Sequence, residues 1–212
     1  MDIKQSLTYF RQEKGWIKTY ALLILISLLG GVPVVGLIAT LVPAGYFAIL
    51  QNQRTFKPKS PLPKIDIIEC LKVGLIVMIG MLALTLINFV ALTLFTNIIR
   101  QTPEAAAIAM VLITIVIMVV AVVYDILFLC FTTNLKLNSF FKFKAIKLFL
   151  VKYRSQYIEL CIKKTAVAIV FVIVFFITAI TIIVPLLILP SLTFICADLN
   201  AQFLRKVFKI KN

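Results

Sequence analysis

Four long apolar runs, at about residues 19–50, 73–97, 105–131 and 165–197, make up most of the chain, and polar, mainly basic segments separate them. Each is long enough, as a helix rising about 1.5 Å per residue, to cross or nearly cross a hydrocarbon core of about 30 Å. The opening run is the most informative. Residues 21–50, ALLILISLLGGVPVVGLIATLVPAGYFAIL, carry no charge. As one straight helix they would measure about 45 Å, too long for one upright span and short for two full ones. Gly30, Gly31, Pro33 and Gly36 interrupt the run at its middle, and Pro43-Ala44-Gly45 interrupt it again near its end. This pattern predicts two short helices joined by a Gly-Pro turn, with a single kinked helix as the alternative. The closing run repeats the theme, with Pro185 and Pro190 as its breaks. The two central runs read as full spans joined by the short, charge-poor turn at 99–104.

The polar segments add detail. Residues 1–18 interleave Tyr9, Phe10 and Trp16 with Arg11, Lys14 and Lys18, as in a short helix lying at a membrane surface with Trp16 as interfacial anchor. Gln51 to Lys64 is a basic connection kept extended by Pro58, Pro61 and Pro63. Asp66, three residues before Glu69, has the spacing of a helix N-cap with an acidic partner in the first turn. In the segment 132–164, Phe143, Ile146, Leu150, Tyr153 and Tyr157 recur at helical spacing. Lys142, Lys144, Lys147, Lys152 and Arg154 accompany them, with Lys144, Lys147 and Arg154 on another face. This predicts a basic amphipathic helix over about 139–160, touching anionic lipid headgroups through those five cations.

Composition places the chain in the membrane class. Hydrophobic residues are 62% and charged residues 14% of 212, against about 45–50% and 25% in soluble domains. The chain has room for one helical domain, 1–212, and no separate soluble one. The net charge is +14. In a soluble protein that excess points to nucleic acid. Here the basic residues flank apolar runs, which is the positive-inside pattern, so the expected partner is an anionic bilayer and not nucleic acid. The N-terminus, 51–64, 132–164 and the C-terminus are all basic, while 99–104 is not. If all four basic regions are cytoplasmic, the first and last runs must each enter and return. The predicted fold is therefore an all-α polytopic bundle of the cytoplasmic membrane. Two long central spans are flanked by two broken helical hairpins, both termini are cytoplasmic, and a basic amphipathic helix lies at the surface. Four single spans are the alternative. The order hairpin, span, span, hairpin hints at an inverted repeat. The first apolar run is longer than a signal-peptide core and has no clear cleavage site, so it is expected to remain in the mature protein.

Candidate chemistry is sparse. The chain has no histidine, and Cys70, Cys130, Cys161 and Cys196 form no C-x-x-C pair, so no metal or cofactor site is expected. There is no paired-carboxylate constellation, nucleophile elbow or phosphate-binding glycine loop, so no catalytic residue is assigned and an enzyme is not expected. Asp125 is the one carboxylate well inside an apolar run. It is either a proton or cation site, or a group neutralised by a Lys, by Tyr124 or by another helix. Asn88 and Asp198 complete a speculative intramembrane polar site. Gly74 and Gly80 are suited to facing neighbouring helices.

These residues resemble an uncharacterised family of prokaryotic multi-pass membrane proteins, catalogued as domain of unknown function 4013. The likeness rests on Trp16 and Lys18, on Val32-Pro33-Val34-Val35-Gly36, on Gly45-Tyr46, on Leu62, Pro63 and Asp66, on Gly74, and on Ala197, Leu199 and Gln202. It departs at Ile65 and Ala201, where the family often carries an aromatic and a glycine. The resemblance implies a helical membrane domain and no transferable activity. The expected role is a non-enzymatic structural, accessory or lipid-organising membrane component. The alternatives are a small transporter or permease-like component with a site between broken helices, and a partner-binding or immunity-type membrane protein. A homo-oligomer or a membrane-protein partner fits any of these, because glycine-rich faces serve internal and intermolecular contacts alike.

Overall fold

The computed structural model describes residues 1–12, 15–28, 33–99, 103–178 and 183–210. Every regular element among them is helical. Eight α-helices follow in order: α1 (Ile3–Thr8), α2 (Trp16–Leu28), α3 (Pro33–Phe56), α4 (Ile67–Ile99), α5 (Pro103–Asn134), α6 (Phe143–Lys147), α7 (Arg154–Thr178) and α8 (Ile183–Phe208). Short 3-10 turns at Tyr9–Gln12 and Leu137–Phe141 and a π-turn at Leu148–Lys152 link some of them. The starts are locally encoded. Pro33 and Pro103 open α3 and α5, where a missing N–H costs no helical bond. Asp66 caps α4 as expected, its Oδ1 accepting from Ile68 N at 3.0 Å and Glu69 N at 3.2 Å.

The opening run is two helices, α2 and α3, and the closing run is divided between α7 and α8. Pro33 stands at the start of α3, as the sequence pattern places a break there, while other expected breaks do not interrupt a helix. Gly30 and Gly31 lie outside the described residues, and Gly36 falls in the first turn of α3. Pro43 sits within α3 and does not interrupt it. Pro185 and Pro190 do not break the closing run. Pro185 lies in the first turn of α8, where N–H groups have no intrahelical acceptor, and Pro190 is carried in the helix interior.

The expected amphipathic helix over 139–160 is not continuous. The chain leaves helical geometry at Lys142 (φ −80°, ψ 65°) and again at Tyr153 (φ −111°, ψ 22°). Its reason is two buried aromatics. Phe140 stacks on Phe131 at 4.5 Å, and Phe149 packs on Phe203 at 5.5 Å. Nine residues apart, they would lie two and a half turns apart on a straight helix of about 3.6 residues per turn, on opposite faces. Breaking the helix lets both point inward. The lead-in is likewise docked rather than superficial: Ser6, Tyr9 and Phe10 are buried, and Phe10 stacks on Phe194 of α8 at 5.1 Å. Trp16 opens α2 and meets Phe10 edge-on at 5.8 Å.

The tightest packing is between α3 and α4. A Cβ at Gly45 would lie 1.9 Å from the Cys70 carbonyl oxygen, and a Cβ at Gly74 2.0 Å from that of Leu41. The two helices cross antiparallel, backbone against backbone, and only glycine permits it. Gly80 also faces a neighbour, the ring of Phe140, as the sequence suggested. The buried core continues through Tyr46, Leu50 and Phe194 between α2, α3 and α8, and through Leu129, Leu160 and Phe203 between α5, α7 and α8.

Among the described residues, two helices are long and apolar enough to cross a membrane, over Ala106–Asn134 and Arg154–Ile177. Only 6% and 11% of their most apolar stretches are buried against the rest of the protein.

Candidate functional site

The polar residues of the bundle gather at one end. There the last turns of α3, α5 and α8, the first turns of α7 and the docked α1 meet. Helical spacing places Gln51, Arg54 and Thr55 on one side of α3, and Asp198, Gln202 and Arg205 on one side of α8. Asp198 is fully buried, and its Oδ1 accepts from Arg54 Nε and pairs with Nη2, both at 3.0 Å. Its Oδ2 accepts from Ser6 Oγ at 2.7 Å and Gln202 Nε2 at 2.8 Å. Arg54 also donates to the Pro58 carbonyl, and its guanidinium lies 4.4 Å from the centre of the Tyr9 ring. Arg205 donates to the backbone carbonyl of Arg54.

Further bonds extend the layer across the bundle. Asn200 Nδ2 donates to Gln51 Oε1 at 3.0 Å, and Gln51 Nε2 donates to Thr132 Oγ1 at 2.7 Å. Asn52 Nδ2 donates to the carbonyls of Thr132 and Thr133 at 2.8 and 3.1 Å. Asp2 N donates to Gln202 Oε1 at 2.6 Å, which ties α1 to α8. The layer thus joins α1, α3, α5 and α8. A buried ion pair offsets its desolvation only when the remaining lone pairs and protons are satisfied. Asp198, with three side-chain donors, meets that condition.

Asp125 has its own partners. Lys164 Nζ lies 2.5 Å from its Oδ1, and the Tyr157 hydroxyl donates to its Oδ2 at 3.1 Å. Of the sequence alternatives, this is neutralisation by a Lys and a neighbouring helix. Glu159 pairs with Lys163 at 2.7 Å and with Lys206 and the Met1 amine at 3.5 Å each. Asn88 lies on α4, half-buried, and its Oδ1 has no partner among the described residues. Asp125, Asn88 and Asp198 therefore have separate surroundings and do not form one site. Lys142, Lys144, Lys147, Lys152 and Arg154 are all exposed.

The sequence reading missed Arg54, Gln51, Ser6, Gln202, Arg205 and Thr132. Arg54 looks like one more cation of a basic connection. The available signal was the spacing of polar residues at i, i+4 and i+7 in 198–205, which marks one helix face.

Burial pulls the Arg205 guanidinium down from its ordinary value, against the opposing influence of Asp198, and Arg54 adds to the drop. Burial, then Glu69 and Asp66, push the Cys70 thiol up to about 11. Among the described residues, no three His, Cys, Asp or Glu side chains converge as metal ligands would. A cavity of about 210 Å³ opens beside the layer, lined by Met1, Gln5, Gln202, Arg205, Lys206 and Ile210. With its carboxylates engaged by cations and hydroxyls, the layer is built to hold helix ends together and to present positive charge. No family model, curated protein or solved structure matches this chain.

Proposed function

We propose that this protein is a non-enzymatic, multi-pass integral protein of the cytoplasmic membrane, with a structural, accessory or lipid-organising role. The observation that carries this reading is the outward-facing apolar surface of α5 and α7. Ile108, Met110, Val111, Met118, Val119, Ile162, Phe176 and Ile177 are all more than half exposed. Apolar surface on this scale needs a non-aqueous cover, and a bilayer supplies one along the full length of a helix. The exposed cations 142–154 and the polar end fit the cytoplasmic headgroup layer, with both termini on that side. Membership of the family catalogued as domain of unknown function 4013 belongs to the same proposal.

The test is extraction and flux. Membranes containing the protein are washed with alkaline carbonate, and purified protein is reconstituted in sealed liposomes. The expected result is retention in the membrane and no solute-specific flux. Release by carbonate, or specific movement of a solute, would refute the proposal. The permease-like alternative is favoured by one observation, the buried Asn88 oxygen that has no partner among the described residues, and the flux measurement decides it.

A further inference from the structure

The charge balance of the polar layer is incomplete. Two guanidinium groups, Arg54 and Arg205, serve one buried carboxylate, Asp198. That carboxylate is already taken by Arg54, Ser6 and Gln202. Arg205 is 8% exposed, and among the described residues one of its N–H groups has a partner, the Arg54 carbonyl. A guanidinium carries five donors, and a cation removed from water is costly without a counter-charge. Arg205 lines the 210 Å³ cavity together with Lys206, Gln5 and Gln202. Glu159, which pairs with the cavity residue Lys206, is shared among Lys163, Lys206 and the Met1 amine. Three other cavities have mainly apolar or mixed walls, such as Leu23, Phe47 and Leu192 in one and Phe10, Phe171 and Ile195 in another.

We propose that this cavity, between α1 and the C-terminal turns of α8, binds a phosphate group, either free or as a phospholipid headgroup, with Arg205 as its principal contact and Lys206 at its rim. A guanidinium fork matches phosphate oxygens in a bidentate manner, and the adjacent ammonium supplies a second positive charge. The cavity lies at the polar end of the bundle, where Asp2, the N-cap of α1, and Ser6 within it bond to α8. A bound phosphate would therefore cross-link the docked N-terminal helix to α8. The membrane reading enters only as the source of a headgroup. Binding of inorganic phosphate by solubilised protein does not depend on it, so the two readings fail separately.

The experiment is calorimetric titration of the full chain in a neutral detergent, with dihexanoyl phosphatidic acid in one series and inorganic phosphate in the other. Gln5→Glu and Lys206→Glu place a carboxylate at the cavity and are each expected to weaken binding about tenfold or more. Asn138→Glu, an exposed change in the turn Leu137–Phe141, is expected to leave it unchanged. Arg205→Gln is expected to abolish binding, but it also removes the bond to Arg54, so the two rim variants carry the test if it does not fold. Binding of both ligands identifies phosphate itself as sufficient, and binding of the lipid alone identifies a headgroup site. The proposal is overturned if neither ligand binds the unaltered protein, or if the rim variants bind as tightly as Asn138→Glu.

Discussion

The α3–α4 crossing makes the sharpest demand on single residues. Alanine at position 45 would put a methyl carbon 1.9 Å from the Cys70 carbonyl oxygen, and alanine at 74 would put one 2.0 Å from the Leu41 oxygen. Ordinary contact begins at 3.4 Å, so each substitution lacks roughly 1.5 Å of room. The obstructing atoms are backbone on both sides, which no rotamer change can move. The helices must separate, and a radial gap of 0.5–1 Å already forfeits about a quarter to a half of each dispersion contact along the interface. Overpacking alone costs about 1–3 kcal/mol. With the lost contacts, Gly45→Ala and Gly74→Ala are each expected to cost about 3 kcal/mol or more. Gly80→Ala is the control. Its Cβ meets the Phe140 ring, a side chain, at 2.8 Å, and the ring can give way. Its cost is expected to be about 1 kcal/mol. Both severe sites lie on one crossing, so a helix pair already spread by the first alanine accepts the second cheaply. The double variant should cost well under the sum of the singles. Thermal denaturation in detergent, followed by monodisperse recovery, reads all four proteins. Equal melting of Gly45→Ala, Gly74→Ala and Gly80→Ala, or strict additivity in the double variant, would refute the close-approach argument.

Other expectations follow from the same structure. Arg54→Leu leaves Asp198 buried without a cation and should cost about 3–5 kcal/mol, seen as a lowered melting temperature. Single cysteines at Lys57, Asn138 and Lys209 should label from one side of the membrane and one at Gln101 from the other; labelling of Lys57 with Gln101 would contradict the convergence of polar ends. Cys70 should resist maleimide in the folded protein at neutral pH and react after denaturation, because burial both hides it and holds its thiol protonated until the pH approaches about 11. Rapid labelling of native protein at pH 7 would show that α3 does not cover it. Lys209 stands past the end of α8 with φ 52°, a left-handed conformation that disfavours side chains. Lys209→Gly should therefore raise stability by about 0.5 kcal/mol, the relieved strain exceeding the entropy that glycine adds to the unfolded chain.

Where local chemistry decides an element, the sequence announces it. Asp66 caps α4 because its own side chain reaches two amides of the next turn, and Pro103 starts α5 because its missing N–H is harmless there. The apolar runs are equally legible, since their length and lack of charge are properties of the chain alone. The partition of those runs is less so. Prolines mark where helices are weakened, but neighbours decide whether they end, and α8 carries Pro190, which is buried. The polar layer was the least legible part. Arg54 finds its carboxylate 144 residues away, and nothing in the basic connection distinguishes it from Lys57 or Lys59, which remain exposed. Similarly, Phe140 and Phe149 belong to opposite faces of any regular helix, so the break between them comes from what each ring packs against.

The layer also bears on the chain's internal symmetry. Gln51 and Asn52 bond to Thr132 and Thr133, Arg54 to Asp198, and Glu159 to Lys206, so the ends of α3, α5 and α8 meet the start of α7 at one level. This brings residues from the four basic stretches of the sequence together at one end of the bundle. An inverted repeat asks for more. Its first half, α2-α3-α4, would have to match α5-α7-α8 helix for helix. Yet α2 has 13 described residues and α5 has 32. The backbone-to-backbone crossing of α3 and α4 is built on glycines at 45 and 74, whereas α7 and α8 meet through large side chains, with Tyr157 against Phe203 at 6.1 Å. The two halves share a direction of travel but not a packing solution. The specific interactions of this bundle are thus concentrated at its polar end rather than at a pseudo-symmetric centre, and substitutions there should disturb it more than equal changes on the outward faces of α5 and α7.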